Sequence, residues 1–224
     1  MKRLSSRWGA FTGIEGLPLI IVSSNALVYL FDLVRPGLVA DLTLRHDALL
    51  AGQWWRLLTF LFVPPFIDNF FFFRVPPPGN MVLMVFWFMF LYTMATSLEQ
   101  VWGTFRFTVY FLVGAAATAA VAWLPLGGWV TNGYLQASLF LAFAALFPDM
   151  EVLLFFFLPV KVRWLGRFTW LSIGLGFFSG DALARLTIAA GLVNYFLILG
   201  PDLWGRARLR WQSVRARRRF RARP

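Results

Sequence analysis

The sequence contains no cysteine and only one histidine, His46. The lack of cysteine excludes disulfide bonds and thiolate metal sites, and it leaves the redox compartment open. One histidine is too few for any metal site that needs two histidine ligands. We therefore expect neither a metal ion nor any other cofactor.

Charged residues are also scarce, at 14% of the 224 residues, whereas a soluble domain usually has about 25%. Hydrophobic residues make up 59% of the chain and aromatic residues 19%. Such a chain cannot cover its apolar surface with polar groups, so lipid must solvate it. Because each span needs about 20 residues, six spans favour one all-α integral membrane domain over residues 1–200.

Acidic residues are fewer than basic ones, and the net charge is +11. Nine arginines lie between Arg206 and Arg223, with no acidic residue among them. A basic arm of this kind can bind nucleic acid through its phosphates. Here it follows a hydrophobic segment directly, which favours a cytoplasmic tail, 201–224, that rests on anionic lipid head groups. We expect membrane lipids as its partners, and no nucleic acid.

Six segments are predicted to span the membrane, at residues 17–34, 80–97, 107–124, 131–147, 164–178 and 181–199. Both termini are basic, which places both in the cytoplasm and requires an even number of spans. Lys161 and Arg163 lie just before the fifth span and Arg167 in its first turn, and these charges fit this orientation. We expect a multi-pass protein of a bacterial plasma membrane. The third span is rich in alanine, which predicts close packing in the middle of the bundle.

The segment before the second span combines paired tryptophans, an arginine and an apolar run, and residues 52–65 read GQWWRLLTFLFVPP. Aromatic rings beside a cation are typical of a segment that lies in the membrane interface. An ordinary amphipathic loop is the alternative. In either case the pair Trp55-Arg56 is the most distinctive part of this loop.

A tight turn is predicted between the second and third spans, where residues 97–107 read SLEQVWGTFRF. Glu99 and Arg106 are spaced to form an ion pair across this turn. Gly103 has the backbone freedom that a sharp reversal needs. We assign the ion pair a structural role.

The longest motif is at residues 131–164, TNGYLQASLFLAFAALFPDMEVLLFFFLPVKVRW. It resembles the fourth helix and following segment of rhomboid proteases, in the triplet Leu146-Phe147-Pro148 and in the run Leu158–Trp164. The first loop also resembles that of rhomboids and Derlins, and the turn at Glu99–Phe107 resembles the superfamily turn at this place. The resemblance covers about 52–199. It implies a rhomboid-like bundle of six transmembrane helices with a membrane-dipping first loop.

The resemblance also implies where a catalytic pair should lie. Rhomboid proteases use a serine at the start of the fourth helix and a histidine on the sixth, because a hydroxyl needs a base to become a good nucleophile. The serine box falls on Thr131–Tyr134, with Gly133 at the serine. The histidine run falls on Ala184–Ile188, with Arg185 at the histidine. A guanidinium stays protonated, with a pKa above ~12, and cannot act as the base.

Arg185 follows Asp181 by four residues, the favourable order for an ion pair on one helix. It is interpreted either as half of a salt bridge at the outer end of the helix, or as a polar group in the former active-site cavity. The candidate structural or client-binding residues are Trp55, Arg56, Glu99, Trp102, Gly103, Arg106, Asn132, Gly133, Asp181 and Arg185.

Two functions from different classes remain. The first is a rhomboid-like pseudoprotease that binds transmembrane segments of client proteins without cleaving them. The alternative is an intramembrane serine protease with a non-standard nucleophile, for which Ser138, Ser172 or Ser179 would need His46 as the base. A small transporter is less favoured, because the two halves of the sequence show no inverted repeat.

Overall fold

The computed structural model describes residues 13–64, 69–70, 73–74, 79–154 and 158–201. The basic tail beyond 201 lies outside the described residues. The helices in chain order are α1 (Leu17–Val34), α2 (Leu38–Leu42), α3 (His46–Leu50), α4 (Arg56–Thr59), α5 (Gly79–Trp102), α6 (Thr104–Val121), α7 (Gly133–Leu146), α8 (Val162–Ser179) and α9 (Ala182–Asn194). A 3₁₀ turn, Phe60–Phe62, follows α4, and a π-helix, Tyr195–Leu199, continues α9.

Short antiparallel strand pairs complete the described fold. The strands are β1 (Leu44–Arg45), β2 (Asn69–Phe70), β3 (Phe73–Arg74), β4 (Trp129–Val130), β5 (Glu151–Leu154) and β6 (Leu158–Lys161). They pair as β1 with β4, β2 with β3, and β5 with β6. The prediction of a mainly helical fold is confirmed.

Four helices are long and apolar enough to cross a membrane, at Leu17–Val34, Asn80–Trp102, Thr104–Val121 and Ala182–Leu199. Helix α7 is apolar but has only 14 residues, or about 21 Å, against a hydrocarbon core of about 30 Å. Helix α8 has 18 residues, but its first two turns include Arg163 and Arg167. All six predicted segments are therefore helical, while only four of them qualify as spans in the described part of the chain.

The boundaries of the second and third predicted spans are shifted. Helix α5 continues to Trp102 instead of ending at residue 97, and α6 begins at Thr104 instead of residue 107. Gly103 alone separates the two helices, with a φ of 80°. The conformational freedom that the sequence predicted for Gly103 is confirmed, because other residues rarely adopt this φ.

Glycines allow the central helices α6, α7 and α9 to approach closely. A Cβ atom at Gly114 of α6 would lie 2.4 Å from Leu135 Cδ1 and 2.5 Å from Asn194 Nδ2. A Cβ atom at Gly191 of α9 would lie 2.5 Å from the Cβ of Tyr134. Helix α6 packs against α5, α7 and α9, which confirms the central position predicted for it.

The segment between α7 and α8 forms a hairpin that the sequence did not predict. Strands β5 and β6 pair from Glu151 opposite Lys161 to Leu154 opposite Leu158. An ion pair between Arg163 and Asp149 lies next to the base of the hairpin. The tip of the hairpin, 155–157, lies outside the described residues.

Candidate functional site

The start of α7, where the resemblance puts a nucleophile, is tied to the first loop by Asn132. This residue is 2% exposed, and its side-chain amide donates hydrogen bonds of 2.9 Å to the carbonyls of both Leu61 and Val63. These carbonyls belong to the end of the 3₁₀ turn and to the residue that follows it. Asn132 therefore fixes the first loop against the first turn of α7.

Gly133 itself lies in a place that would accept a side chain. A Cβ atom built on it would lie 3.5 Å from Thr131 Oγ1, an ordinary van der Waals distance, and its φ is not in the left-handed region. Packing therefore does not require glycine here, in contrast to Gly114 and Gly191. The first turn of α7 has room for a Cβ atom at this position but carries no hydroxyl there.

Arg185 and Asp181 each cap a helix end and do not pair with each other within the described residues. The Arg185 guanidinium donates to the carbonyls of Phe177 (3.0 Å) and Phe178 (3.4 Å), at the end of α8. The Asp181 carboxylate accepts the N–H of Ala184 at 2.8 Å, as an N-cap of α9. The interpretation of Arg185 as half of an i,i+4 salt bridge is wrong. The ends of α8 and α9 leave carbonyl and N–H groups without partners inside the helix, and these groups bind Arg185 and Asp181 instead.

Gly133 and Arg185 are not joined by any hydrogen bond or ion pair of the described residues. The part of α9 that contacts the start of α7 is one to two turns further along, where Gly191 packs on Tyr134. Tyr134 and Ile188 both approach Gly176 of α8, at 3.7 and 3.6 Å from the position of its Cβ. This junction of α7, α8 and α9 was not predicted from the sequence. The lone glycines in apolar helices could have indicated it, since small residues mark close helix contacts in membranes.

Arg56 organises the first loop from inside. Its side chain is 8% exposed and donates to Gln53 Oε1 at 2.6 Å and to the carbonyls of Ala40 (2.9 Å) and Thr43 (2.7 Å). A guanidinium has five N–H donors and suits several acceptors at once. The adjacent Trp55 is 56% exposed. The Trp-Arg pair thus has one member that ties the loop together and one that faces outward, as an interfacial segment requires.

An exposed ion pair lies at the strand pair of β1 with β4, which joins the first loop to the segment before α7. Arg45 Nε donates to Asp47 Oδ1 at 3.0 Å, and the Arg45 guanidinium lies 5.9 Å from the centre of the Trp129 ring. The hydrogen bonds from Arg45 lower the pKa of Asp47 below its usual value. A lowered carboxyl pKa contributes stability above the unfolded-state pKa, and the contribution is lost as the pH falls through the folded-state pKa.

Arg106 binds the π-helix rather than Glu99. Its guanidinium donates to the carbonyl of Ile198 at 2.9 Å and lies 5.7 Å from the centre of the Trp102 ring. Trp102 in turn packs on Tyr110, with ring centres 5.0 Å apart. The predicted ion pair across the turn is wrong for these described residues. The turn instead joins the end of α5 to the end of α9.

Ser138 is the serine nearest to the predicted nucleophile position on α7, and it lies in a buried polar cluster. Its hydroxyl donates to the carbonyl of Leu135 at 2.7 Å and accepts from Asn194 Nδ2 at 3.0 Å. Asn194 Nδ2 also donates to the carbonyl of Tyr110, whose hydroxyl donates to the carbonyl of Ser138. Ser138, Asn194 and Tyr110 are fully buried. This cluster links α6, α7 and α9 and has no group that could act as a base.

His46, the only possible partner for such a serine, is bound elsewhere. Its Nδ1 lies 3.0 Å from the carbonyl of Ala122, at the end of α6. The hydroxyl of Ser179 donates to the carbonyl of Leu175 at 2.7 Å. Ser138 and Ser179 therefore bond to helix backbone, and no hydrogen bond of the described residues joins either of them to His46.

Helix α8 is the outermost part of the site. It packs mainly against α7 and α9, whereas α5 packs mainly against α1, α6 and α7. Only Val162, Gly166 and Ile173 of its 18 residues are buried. Helices α5 and α8 thus flank α7 without a principal contact between them.

No protein-family model matches the chain, and no curated protein matches it either.

Proposed function

We propose that this chain is a rhomboid-like membrane pseudoprotease that binds transmembrane segments of client proteins without cleaving them. The observation that carries the proposal is the first turn of α7. Asn132 fixes this turn to a loop with outward-facing tryptophans, yet Gly133 brings no reactive side chain to it. The rhomboid-like motifs of the sequence are the reason to expect a client segment at this turn.

A client helix would approach α7 from the side between α5 and α8. Three features support this path: α8 has few buried residues, α5 and α8 share no principal contact, and α7 is short. A short helix is accommodated in a bilayer by local thinning, which lowers the free energy needed to move a client span towards it. We place both termini in the cytoplasm of a bacterium, with Lys161, Arg163 and Arg167 at the cytoplasmic end of α8.

The protease alternative would need a hydroxyl and a base in contact. Ser138 and Ser179 each donate to a helix carbonyl, and His46 lies against the end of α6. No observation in the described residues favours this alternative. It is retained as an outcome of the experiment below.

The test uses the full chain, purified and reconstituted into liposomes with a panel of single-span reporter proteins. A photoreactive amino acid replaces Gly133 in one variant and Leu30, an exposed residue of α1, in the control variant. We expect crosslinks to a subset of reporters from position 133, few from position 30, and intact reporters throughout. Equal crosslinking from both positions would contradict a client site at α7.

Cleavage is measured in the same reactions by gel electrophoresis. Reporter cleavage that is lost in a Ser138→Ala variant would overturn the pseudoprotease proposal and establish the protease alternative. Labelling of any serine by a fluorophosphonate, lost when that serine is replaced, would do the same.

A further inference from the structure

An apolar groove runs along the outer side of the bundle between α8 and α9. It has a volume of about 480 Å³, and the described residues that line it are all apolar, among them Trp170, Gly174, Phe177, Val193 and Leu197. This volume is in the range of about 300–1,000 Å³ that small-molecule sites occupy. None of the residues that line the groove belongs to the first turn of α7, where the proposed client site lies.

The groove is open because α8 has a glycine at its centre. A Cβ atom on Gly174 would meet nothing within 4 Å, so packing does not demand glycine at this place. The side chains at the rim face outward, and Leu175 and Leu197 are 62% and 63% exposed. In a membrane this surface contacts lipid, and the space over Gly174 must be filled by something apolar.

One end of the groove carries a cation. Arg167 lies one turn before Trp170 on α8, and its guanidinium is 4.6 Å from the centre of the Trp164 ring. Within the described ranges no carboxylate pairs with Arg167, whereas the neighbouring Arg163 pairs with Asp149. A tryptophan and an arginine together are typical of head-group depth. The charge and the apolar groove are therefore aligned along one helix.

The dimensions fit a lipid chain. From Arg167 to Phe178 α8 rises about 16 Å, and half of the hydrocarbon core of a bilayer is about 15 Å. A helix is about 10–12 Å wide with its side chains, so only part of its surface could enter an open groove of about 480 Å³. An extended acyl chain is the better match.

We propose that this groove binds one acyl chain of an anionic glycerophospholipid, with the phosphate at Arg167. The lipid fills the space over Gly174 and holds α8 against α9. This site does not depend on the client-binding function, since no residue of the groove belongs to the first turn of α7.

The test places the full chain in phosphatidylcholine nanodiscs with a trace of phosphatidylglycerol that carries a photoreactive group near the end of one acyl chain. We expect the label on peptides that contain Gly174 or Val193. Unlabelled phosphatidylglycerol should compete about fivefold better than phosphatidylcholine, the factor that one basic residue near a head group provides.

Two pairs of variants locate the chain and the head group. Gly174→Leu fills the groove and should reduce the labelling severalfold, whereas Ser172→Leu, on the same helix but outside the groove, should not. Arg167→Gln should abolish the preference for phosphatidylglycerol, whereas Arg35→Gln, the same charge change at the end of α1, should retain it. Unchanged thermal unfolding shows that each variant is folded.

Labelling that is insensitive to both Gly174→Leu and Arg167→Gln would show that the groove contacts only bulk lipid, and it would overturn the proposal. Loss of the label at high protein concentration would instead assign the groove to a second copy of the chain. Displacement of the label by a single-span reporter would assign it to a client helix. Both outcomes contradict a lipid site, and neither tests the site at Gly133.

Discussion

Helices α8 and α9 follow each other in the chain, yet they are held in different ways. Helix α9 buries six of its 13 residues, and its last residue, Asn194, belongs to the polar cluster with Ser138 and Tyr110. Helix α8 buries three of its 18 residues. We infer that α6, α7 and α9 form the fixed part of the molecule and that α8 is attached to it from outside.

The difference follows from the small residues. Lipid is as apolar as a leucine side chain, so helices in a membrane associate through close van der Waals contact and interhelical hydrogen bonds. Helix α9 has both, at Gly191 and at Asn194. Helix α8 has one tight contact, at Gly166, whose Cβ position lies 2.9 Å from the Cβ of Ala144. The remainder of α8 rests on apolar side chains that lipid can replace.

The largest effect is expected for Gly191→Ala. The added methyl group would meet Tyr134 at 2.5 Å, including its backbone at 2.9 Å, and overpacking of this kind costs about 1–3 kcal/mol. The free energy of unfolding, measured in mixed micelles of mild and denaturing detergent, should fall by this amount. Gly174→Ala is the matched control on α8 and should leave stability unchanged or raise it. Equal losses at both positions would refute the distinction between the two helices.

The next effect is expected for Asn194→Ala. It removes two hydrogen bonds to α6 and α7, and interhelical bonds of this kind contribute about 0.6 kcal/mol each, with a maximum near 1.7. We expect a loss of about 1–2 kcal/mol in the same assay. Ser138→Ala should be non-additive with Asn194→Ala, because both variants break the bond between these two side chains. Additive losses would show that the cluster does not act as a unit.

A smaller effect is expected at the C-terminal end of α8. Arg185→Gln removes the charge that binds the carbonyls of Phe177 and Phe178, where a cation stabilises a helix end by about 0.3–1 kcal/mol. Hydrogen exchange should become faster in the last turn of α8 and stay the same in α6. Faster exchange throughout the bundle would mean that Arg185 supports the fixed part of the molecule as well.

The smallest effect is expected at the other end of α8. Asp149→Asn removes the exposed ion pair with Arg163, and such pairs contribute about 0.5 kcal/mol or less. Exchange of the first amides of α8 should increase slightly at low salt and not at high salt, because salt screens exposed charges. An equal increase at both salt concentrations would contradict an electrostatic origin.

The positions of the helices could be predicted from the sequence better than the number of helices that are long enough to span a membrane. The bounds of α1 are those predicted, and Gly103 is the turn that its residue type indicated. The prediction of six spans did not foresee that α7 would end after 14 residues or that α8 would begin before Arg163. Helix ends depend on local capping and on the turns that follow them. The hairpin at Glu151–Lys161 separates α7 from α8, and the apolar run of that segment does not indicate a hairpin.

The sequence by itself determined that this chain consists mainly of apolar helices, some long enough to cross a membrane, because composition and the length of apolar runs decide that question. It also places a glycine at 133 and an arginine at 185, where the resemblance to rhomboid proteases implies a serine and a histidine. Only the tertiary structure decided what the charged side chains bind. Residue spacing predicted a pair of Arg106 with Glu99 across a turn and a pair of Arg185 with Asp181 along one helix. The fold instead brings carbonyls from Ile198 and from Phe177 and Phe178 within reach, and a free carbonyl at a neighbouring helix end cannot be seen from residue spacing.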